Sequence, residues 1–139
     1  MKPSNVKLTK KLLGESLFVG VYCCLIYFFV SFAVSSNFAL LLFVVGFLKH
    51  FLGYYLKIQD FYCATCVKGS KSYTTKQILL GESILEGVVF IILGFLLGVF
   101  IENRGVLMFL LGFLLHMIAE FTGVHKYFCK NRCVVQRRP

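Results

Sequence analysis

Residues 12–34, LLGESLFVGVYCCLIYFFVSFAV, decide the fold class of this chain, because they are apolar over a length that crosses a bilayer. A transmembrane helix needs about 20 such residues. Three more apolar stretches follow at residues 38–56, 78–101 and 106–124. Four helices that are apolar on every face have no place in a small soluble protein, and the first lacks the small-residue cleavage site of a signal peptide. The sequence therefore predicts an all-α integral membrane protein with four transmembrane helices.

The composition agrees with this prediction. Of the 139 residues, 58% are hydrophobic and 15% are charged, whereas a soluble domain has about 45–50% and about 25%. These values exclude a disordered chain, a soluble nucleic-acid-binding protein and most soluble enzymes. The formal net charge of +9 is carried by few residues, so their positions are informative.

Nearly all basic residues lie in the N-terminal arm, the polar segment 57–77 and the C-terminal tail. Arg104 differs, since it lies in a short turn where Glu102 offsets its charge. The positive-inside rule places both termini and the middle segment on the cytoplasmic, or capsid-facing, side. Lys49, close to a span end, is expected to extend its ammonium to the same surface. The residues expected to meet anionic headgroups or a protein partner are Lys7, Lys10, Lys11, Lys49, Lys126, Lys130 and Arg132.

The two halves of the chain resemble each other. The segment LLGESLFVGV at 12–21 aligns with LLGESILEGV at 79–88, GFLKH at 46–50 with GFLLH at 112–116, and FYC at 61–63 with YFC at 127–129. This predicts a tandem duplication, with repeats at residues 1–68 and 69–139. Each repeat is a two-helix hairpin, so we expect parallel repeats related by a pseudo-twofold axis along the membrane normal.

Glycines mark positions where the helices can approach closely. Gly94 and Gly98 form a small-xxx-small stripe on the third span. Further candidates are Gly14, Gly20, Gly46, Gly81, Gly87 and Gly112.

Polar residues recur near one end of the spans. Those expected to pair inside the membrane are Glu15, His50, Glu82, His116, Glu86 and Glu120. Intramembrane acids normally find partners, so we expect glutamate–histidine pairs, either within each hairpin or swapped across the pseudo-twofold axis. The favoured interpretation is a set of clamps that fix helix register. The alternatives are a proton relay and a carboxylate–histidine metal site made from Glu82, Glu86, His116 and Glu120, with Glu15 and His50 as further members.

The six cysteines divide into three groups. Cys23 and Cys24 lie mid-span and are expected to pack as small apolar residues. The other two groups, Cys63 with Cys66 and Cys129 with Cys133, follow spans two and four and emerge on the same predicted face. Four converging thiols fit free or structural cysteines, one structural zinc, two disulfides or a redox centre, and the sequence leaves these open.

The segment GFLKHFLGYYLKIQDFYC at residues 46–63 resembles stretches in small polytopic membrane proteins of large icosahedral DNA viruses. The resemblance implies a protein of the internal virion membrane that anchors capsid components. No phosphate-binding loop, zinc-protease motif or nucleophile beside a base is present in the sequence, so we expect a structural protein rather than an enzyme, and no cofactor apart from the structural zinc considered above.

The expected partners are an anionic bilayer, a protein on the basic side and further copies or other subunits, but not nucleic acid. The rival functions are a small ion, proton or solute transporter or channel, and a membrane thiol oxidoreductase that uses Cys63 and Cys66.

Overall fold

The computed structural model describes residues 9–34, 36–58 and 76–125. Within these ranges lie four α-helices, α1 (Lys10–Ala33), α2 (Phe38–Tyr55), α3 (Lys76–Gly98) and α4 (Arg104–Thr122). All four are long and apolar enough to cross a membrane. They coincide with the four predicted spans to within three residues at each end, so the prediction of an all-helical integral membrane protein is confirmed.

Side-chain caps explain where three of the helices begin. The Thr9 hydroxyl accepts a hydrogen bond from the backbone N–H of Leu12 at the start of α1. Asn37 and Asn103 cap α2 and α4 through their side-chain oxygens. These bonds satisfy backbone donors that the first helical turn leaves without partners.

The order of contacts around the bundle is α1, α2, α3, α4 and back to α1, with neighbouring helices antiparallel. The most extensive interfaces are α1/α4 and α2/α3, whereas the helices of each hairpin contact each other less. The bundle is therefore held together mainly across the two hairpins. We call the end where α1 and α3 begin the loop end, and the opposite end the turn end.

Glycines bring the α1 and α4 backbones together. A Cβ atom placed on Gly20 would lie 2.8 Å from the ring of Phe109. One placed on Gly112 would lie 2.9 Å from the carbonyl oxygen of Val19. Cβ atoms are not found at such distances, so only glycine fits at these two positions without a shift.

The α2/α3 interface uses glycines in the same way. A Cβ on Gly87 would lie 2.7 Å from the Phe43 ring, and one on Gly46 would lie 2.9 Å from the Glu86 carbonyl oxygen. Gly94 also belongs here, because its Cβ would meet Leu42 at 2.5 Å.

The remaining glycine candidates do not mediate close contacts among the described residues. Around Gly14 and Gly81 an added Cβ would meet nothing within 4 Å, and at Gly98 its nearest neighbour would be at 3.8 Å. The predicted small-residue stripe of α3 is therefore used at Gly94 and only loosely at Gly98.

The interior is apolar from the middle of the bundle toward the turn end. Eight of its side chains are at most 1% exposed: Cys23, Leu41, Leu42, Val45, Phe90, Leu107, Met108 and Leu111. The outer faces are also apolar, and Phe32 and Phe100 are 76% and 83% exposed. A water-soluble protein rarely exposes so much apolar surface, whereas a bilayer covers it.

Candidate functional site

Two groups of polar side chains lie at the loop end, one in each of the extensive interfaces. The α2/α3 polar cluster consists of Lys49, His50, Glu82 and Glu86. The α1/α4 polar cluster consists of Glu15, His116, Glu120 and His125. Each contains two carboxylates, with one histidine ring in the α2/α3 polar cluster and two in the α1/α4 polar cluster.

In the α2/α3 polar cluster, each ring nitrogen of His50 contacts a carboxylate. Nδ1 lies 2.7 Å from Glu86 Oε2, and Nε2 lies 3.0 Å from Glu82 Oε2. The Lys49 ammonium donates to the other oxygen of Glu86. A protonated imidazole donates to both carboxylates, whereas a neutral ring donates to only one. This cluster thus contains its own cation, and its distances are those of direct hydrogen bonds.

In the α1/α4 polar cluster, His116 Nε2 lies 3.6 Å from Glu15 Oε2. This separation exceeds a hydrogen bond. Glu120 is in direct contact with Nδ1 of His125, and the rings of His116 and His125 lie edge to face with their centroids 5.6 Å apart. The Lys11 ammonium lies 3.8 Å from Glu15 Oε1, and the Lys11 side chain is 69% exposed.

The structure agrees with one of the two pairings that the sequence allows. Glu82 of the second hairpin meets His50 of the first, and Glu15 of the first meets His116 of the second. The swapped arrangement is therefore present in both polar clusters. It follows from the helix order, because the extensive interfaces join α1 to α4 and α2 to α3.

The residues of the alternative metal site, Glu82, Glu86, His116 and Glu120, come from both polar clusters. The contacts assign Glu82 and Glu86 to one cluster and His116 and Glu120 to the other. Glu82 and Glu86 belong to the α2/α3 interface, whereas His116 and Glu120 belong to the α1/α4 polar cluster. Within the α1/α4 polar cluster, ligand atoms of Glu15, His116 and Glu120 all lie within 4.8 Å of one another.

Lys49 differs from its prediction. Instead of extending to the headgroups, its side chain is 15% exposed and pairs with Glu86. The carboxylate of Glu86 lies within reach inside the bundle, and its negative charge holds the ammonium there. The sequence places Glu86 on the second hairpin and gives no sign that it faces Lys49.

His125 is a member of the α1/α4 polar cluster that the sequence pattern does not predict. It follows Gly123, which ends α4 in the left-handed conformation with φ 77°. This C-terminal glycine redirects the chain, and His125 contacts Glu120 from the residues that follow. Gly123 near the end of the fourth apolar stretch is the sequence feature that indicates this change of chain direction.

The other predicted residues are only partly described. Cys23 is buried in the core as expected, and the Cys24 thiol lies 3.4 Å from the carbonyl oxygen of Gly105. Both are free thiols. Lys10 and Lys11 are exposed at the start of α1. The following residues lie outside the described ranges: Cys63, Cys66, Cys129, Cys133, Lys7, Lys126, Lys130 and Arg132.

The chain matches no protein-family model, no curated protein and no solved structure.

Proposed function

We propose that this chain is a structural, non-enzymatic integral membrane protein whose polar clusters clamp a closed bundle and whose basic side faces anionic headgroups and a protein partner. The observation that carries the proposal is the distribution of polarity in the interior. Polar side chains meet in helix interfaces at the loop end, whereas the core beyond them is apolar and buried, with eight side chains at most 1% exposed. A solute moving along the bundle axis would have to displace that core.

The polar clusters suit a clamping role because each joins two helices from different hairpins. Interhelical polar contacts in membranes contribute about 0.6–2 kcal/mol each. The two helices of each hairpin contact each other less than they contact the other hairpin. Polar contacts in the α1/α4 and α2/α3 interfaces therefore fix the helix register.

A duplicated hairpin is part of the proposal. Ser16 and Ser83, which the sequence alignment pairs, each donate a hydroxyl hydrogen bond to the carbonyl oxygen four residues earlier. The close glycine contacts also correspond: Gly20 with Phe109 matches Gly87 with Phe43. The interfaces α1/α4 and α2/α3 exchange under a twofold rotation that relates the hairpins, which supports parallel repeats.

The proposed orientation rests on charge. The basic residues of the arm, middle segment and tail all belong to the loop end of the chain, and we place this end on the cytoplasmic or capsid-facing side. Each basic residue near an anionic surface contributes about 1 kcal/mol of attraction. The resemblance of residues 46–63 to small membrane proteins of large icosahedral DNA viruses favours an acidic capsid component as the protein partner.

Cross-linking in the native membrane tests this function. A photo-reactive residue at Lys11, exposed at the loop end, is compared with one at Phe100, exposed at the turn end. We expect one protein neighbour, in stoichiometric amount, from position 11 and lipid adducts alone from position 100. Equal recovery of the neighbour from both positions, or lipid adducts alone from both, contradicts the proposed basic-side partner.

A further inference from the structure

We infer that the α1/α4 polar cluster is a binding site for a divalent transition-metal ion of the zinc class, held by Glu15, His116, Glu120 and His125. This inference deepens the clamping role proposed above and does not depend on the protein partner.

The separations of the donor atoms suit ligands of one ion. Zinc binds histidine nitrogen and carboxylate oxygen at about 2.0–2.2 Å, which places neighbouring ligands of a tetrahedral ion about 3.3–3.5 Å apart. His116 Nε2 and Glu15 Oε2 lie 3.6 Å apart, and an oxygen of Glu120 completes a trio within 4.8 Å. His125, in contact with Glu120, provides a fourth donor of the preferred type.

The charges of the α1/α4 polar cluster also favour the binding of a cation. Glu15 and Glu120 bring two carboxylates together with side chains only 12% and 16% exposed. Lys11 lies 3.8 Å from Glu15, and because its side chain is 69% exposed, solvent screens its charge. A metal ion compensates both carboxylates and accepts both imidazoles, whereas two imidazolium ions at 5.6 Å between ring centroids repel each other.

The α2/α3 polar cluster provides an internal comparison. There the Lys49 ammonium supplies a cation, and His50 bonds directly to Glu82 at 3.0 Å. The alignment that pairs the two GFL segments places Leu115 opposite Lys49. The α1/α4 polar cluster therefore has no lysine at the matching position, and its glutamate–histidine pair is spread to 3.6 Å.

Metal titration of the full-length protein tests this site. Cys63, Cys66, Cys129 and Cys133 are first replaced by serine so that no loop thiolate competes for the metal. After chelator treatment, the protein in detergent is titrated with Zn²⁺ and with Co²⁺. We expect one ion per chain, a rise in the thermal unfolding midpoint, and a Co²⁺ spectrum of nitrogen and oxygen ligands.

Matched variants locate the ion. We expect His116→Gln or Glu120→Gln to weaken Zn²⁺ binding by at least about 100-fold, because even partners beyond the direct ligands contribute about 10–100-fold. His50→Gln and Glu82→Gln remove the same groups from the α2/α3 polar cluster and should leave the affinity unchanged. If His116→Gln does not fold, His125→Gln replaces it. The thermal unfolding midpoint of the protein with all four cluster residues intact, measured with and without Zn²⁺, tests binding without any ligand variant.

Three outcomes overturn the inference: no saturable binding near one ion per chain, equal loss in the His50 and His116 variants, or full affinity in both the His116 and Glu120 variants. None of these changes the cross-linking result expected for the proposed function, so the two failures are distinguishable.

Discussion

At the scale of single residues, the glycines that the sequence predicts as sites of close helix approach have different structural roles. Gly46 and Gly112 stand where a Cβ would meet backbone oxygen at 2.9 Å, whereas Gly14 and Gly81 face open space within 4 Å. The sequence identifies all four as candidates for close approach. It cannot rank them, because helices that are apolar on every face do not reveal which face meets a neighbour.

Alanine substitutions test this difference. We expect Gly46→Ala and Gly112→Ala to lower the free energy of unfolding by about 1–3 kcal/mol, since an added methyl group must displace Phe90, Cys23 or the facing backbone. Gly14→Ala should be neutral or stabilising by up to about 1 kcal/mol through helix propensity. Unfolding in mixed micelles measures all three variants. Equal losses at Gly14 and Gly46 would contradict the close interfaces.

The two lysines that pair with glutamates offer a second comparison. Lys49→Met should destabilise the protein by about 3 kcal/mol, because it leaves Glu86 without its ammonium in a poorly solvated interface. Lys11→Met, at an exposed pair, should cost less than about 1 kcal/mol. The same unfolding measurement applies, and similar values for both variants would place Lys49 at the headgroups after all.

At the scale of helices, the sequence predicts the elements well and their pairing only in part. Apolar length predicts the four spans, and the structure adds the side-chain caps at Asn37 and Asn103 where two of the helices begin. The glutamates and histidines limit the pairing to two arrangements. The choice between them depends on packing at glycine and phenylalanine contacts that involve residues far apart in the chain.

A cysteine cross-link tests the α1/α4 interface. The background for this test has Cys63, Cys66, Cys129 and Cys133 replaced by serine. In it, Gly112→Cys places a thiol beside the native Cys23, with the two Cβ atoms near 3.1 Å. Disulfides need about 3.5–4.5 Å between Cβ atoms, which a small shift of the helices provides. We expect oxidation to join the two hairpins, so that cleavage in the middle segment separates them only after reduction.

Gly14→Cys is the matched control for this cross-link, because an added Cβ there meets nothing within 4 Å. It should leave the cleaved halves separable without reduction. Failure of the Gly112 variant to join them, or equal joining by the control, would be inconsistent with the observed helix order.

At the scale of the whole molecule, the charge distribution defines a proposed orientation. The arm, the middle segment and the tail carry the basic residues, while the turn end carries Glu102 and Arg104 in a short connection. The structure adds that the loop end also holds both polar clusters. Among the described residues, both interhelical polar clusters therefore lie toward one side of the bundle.

Labelling by a membrane-impermeant thiol reagent tests this orientation. Single cysteines at Lys7, Ser70 and Arg138 should react from one side of sealed membranes, and cysteines at Ser36 and Glu102 from the other, in a background without native cysteines. We expect the first group on the cytoplasmic side, as the positive-inside rule requires. Reaction of the middle segment and a terminus from opposite sides would exclude two parallel hairpins.

The central claim is that the polar clusters hold the bundle together and do not conduct protons. Its most direct test is proton flux into vesicles that contain the purified protein, measured beside the stability of the same preparation, for the native chain and for Glu82→Gln. We predict flux equal to that of protein-free vesicles in both cases, together with a lower unfolding midpoint for the variant. Flux above background that Glu82→Gln abolishes while the unfolding midpoint stays unchanged would contradict the account.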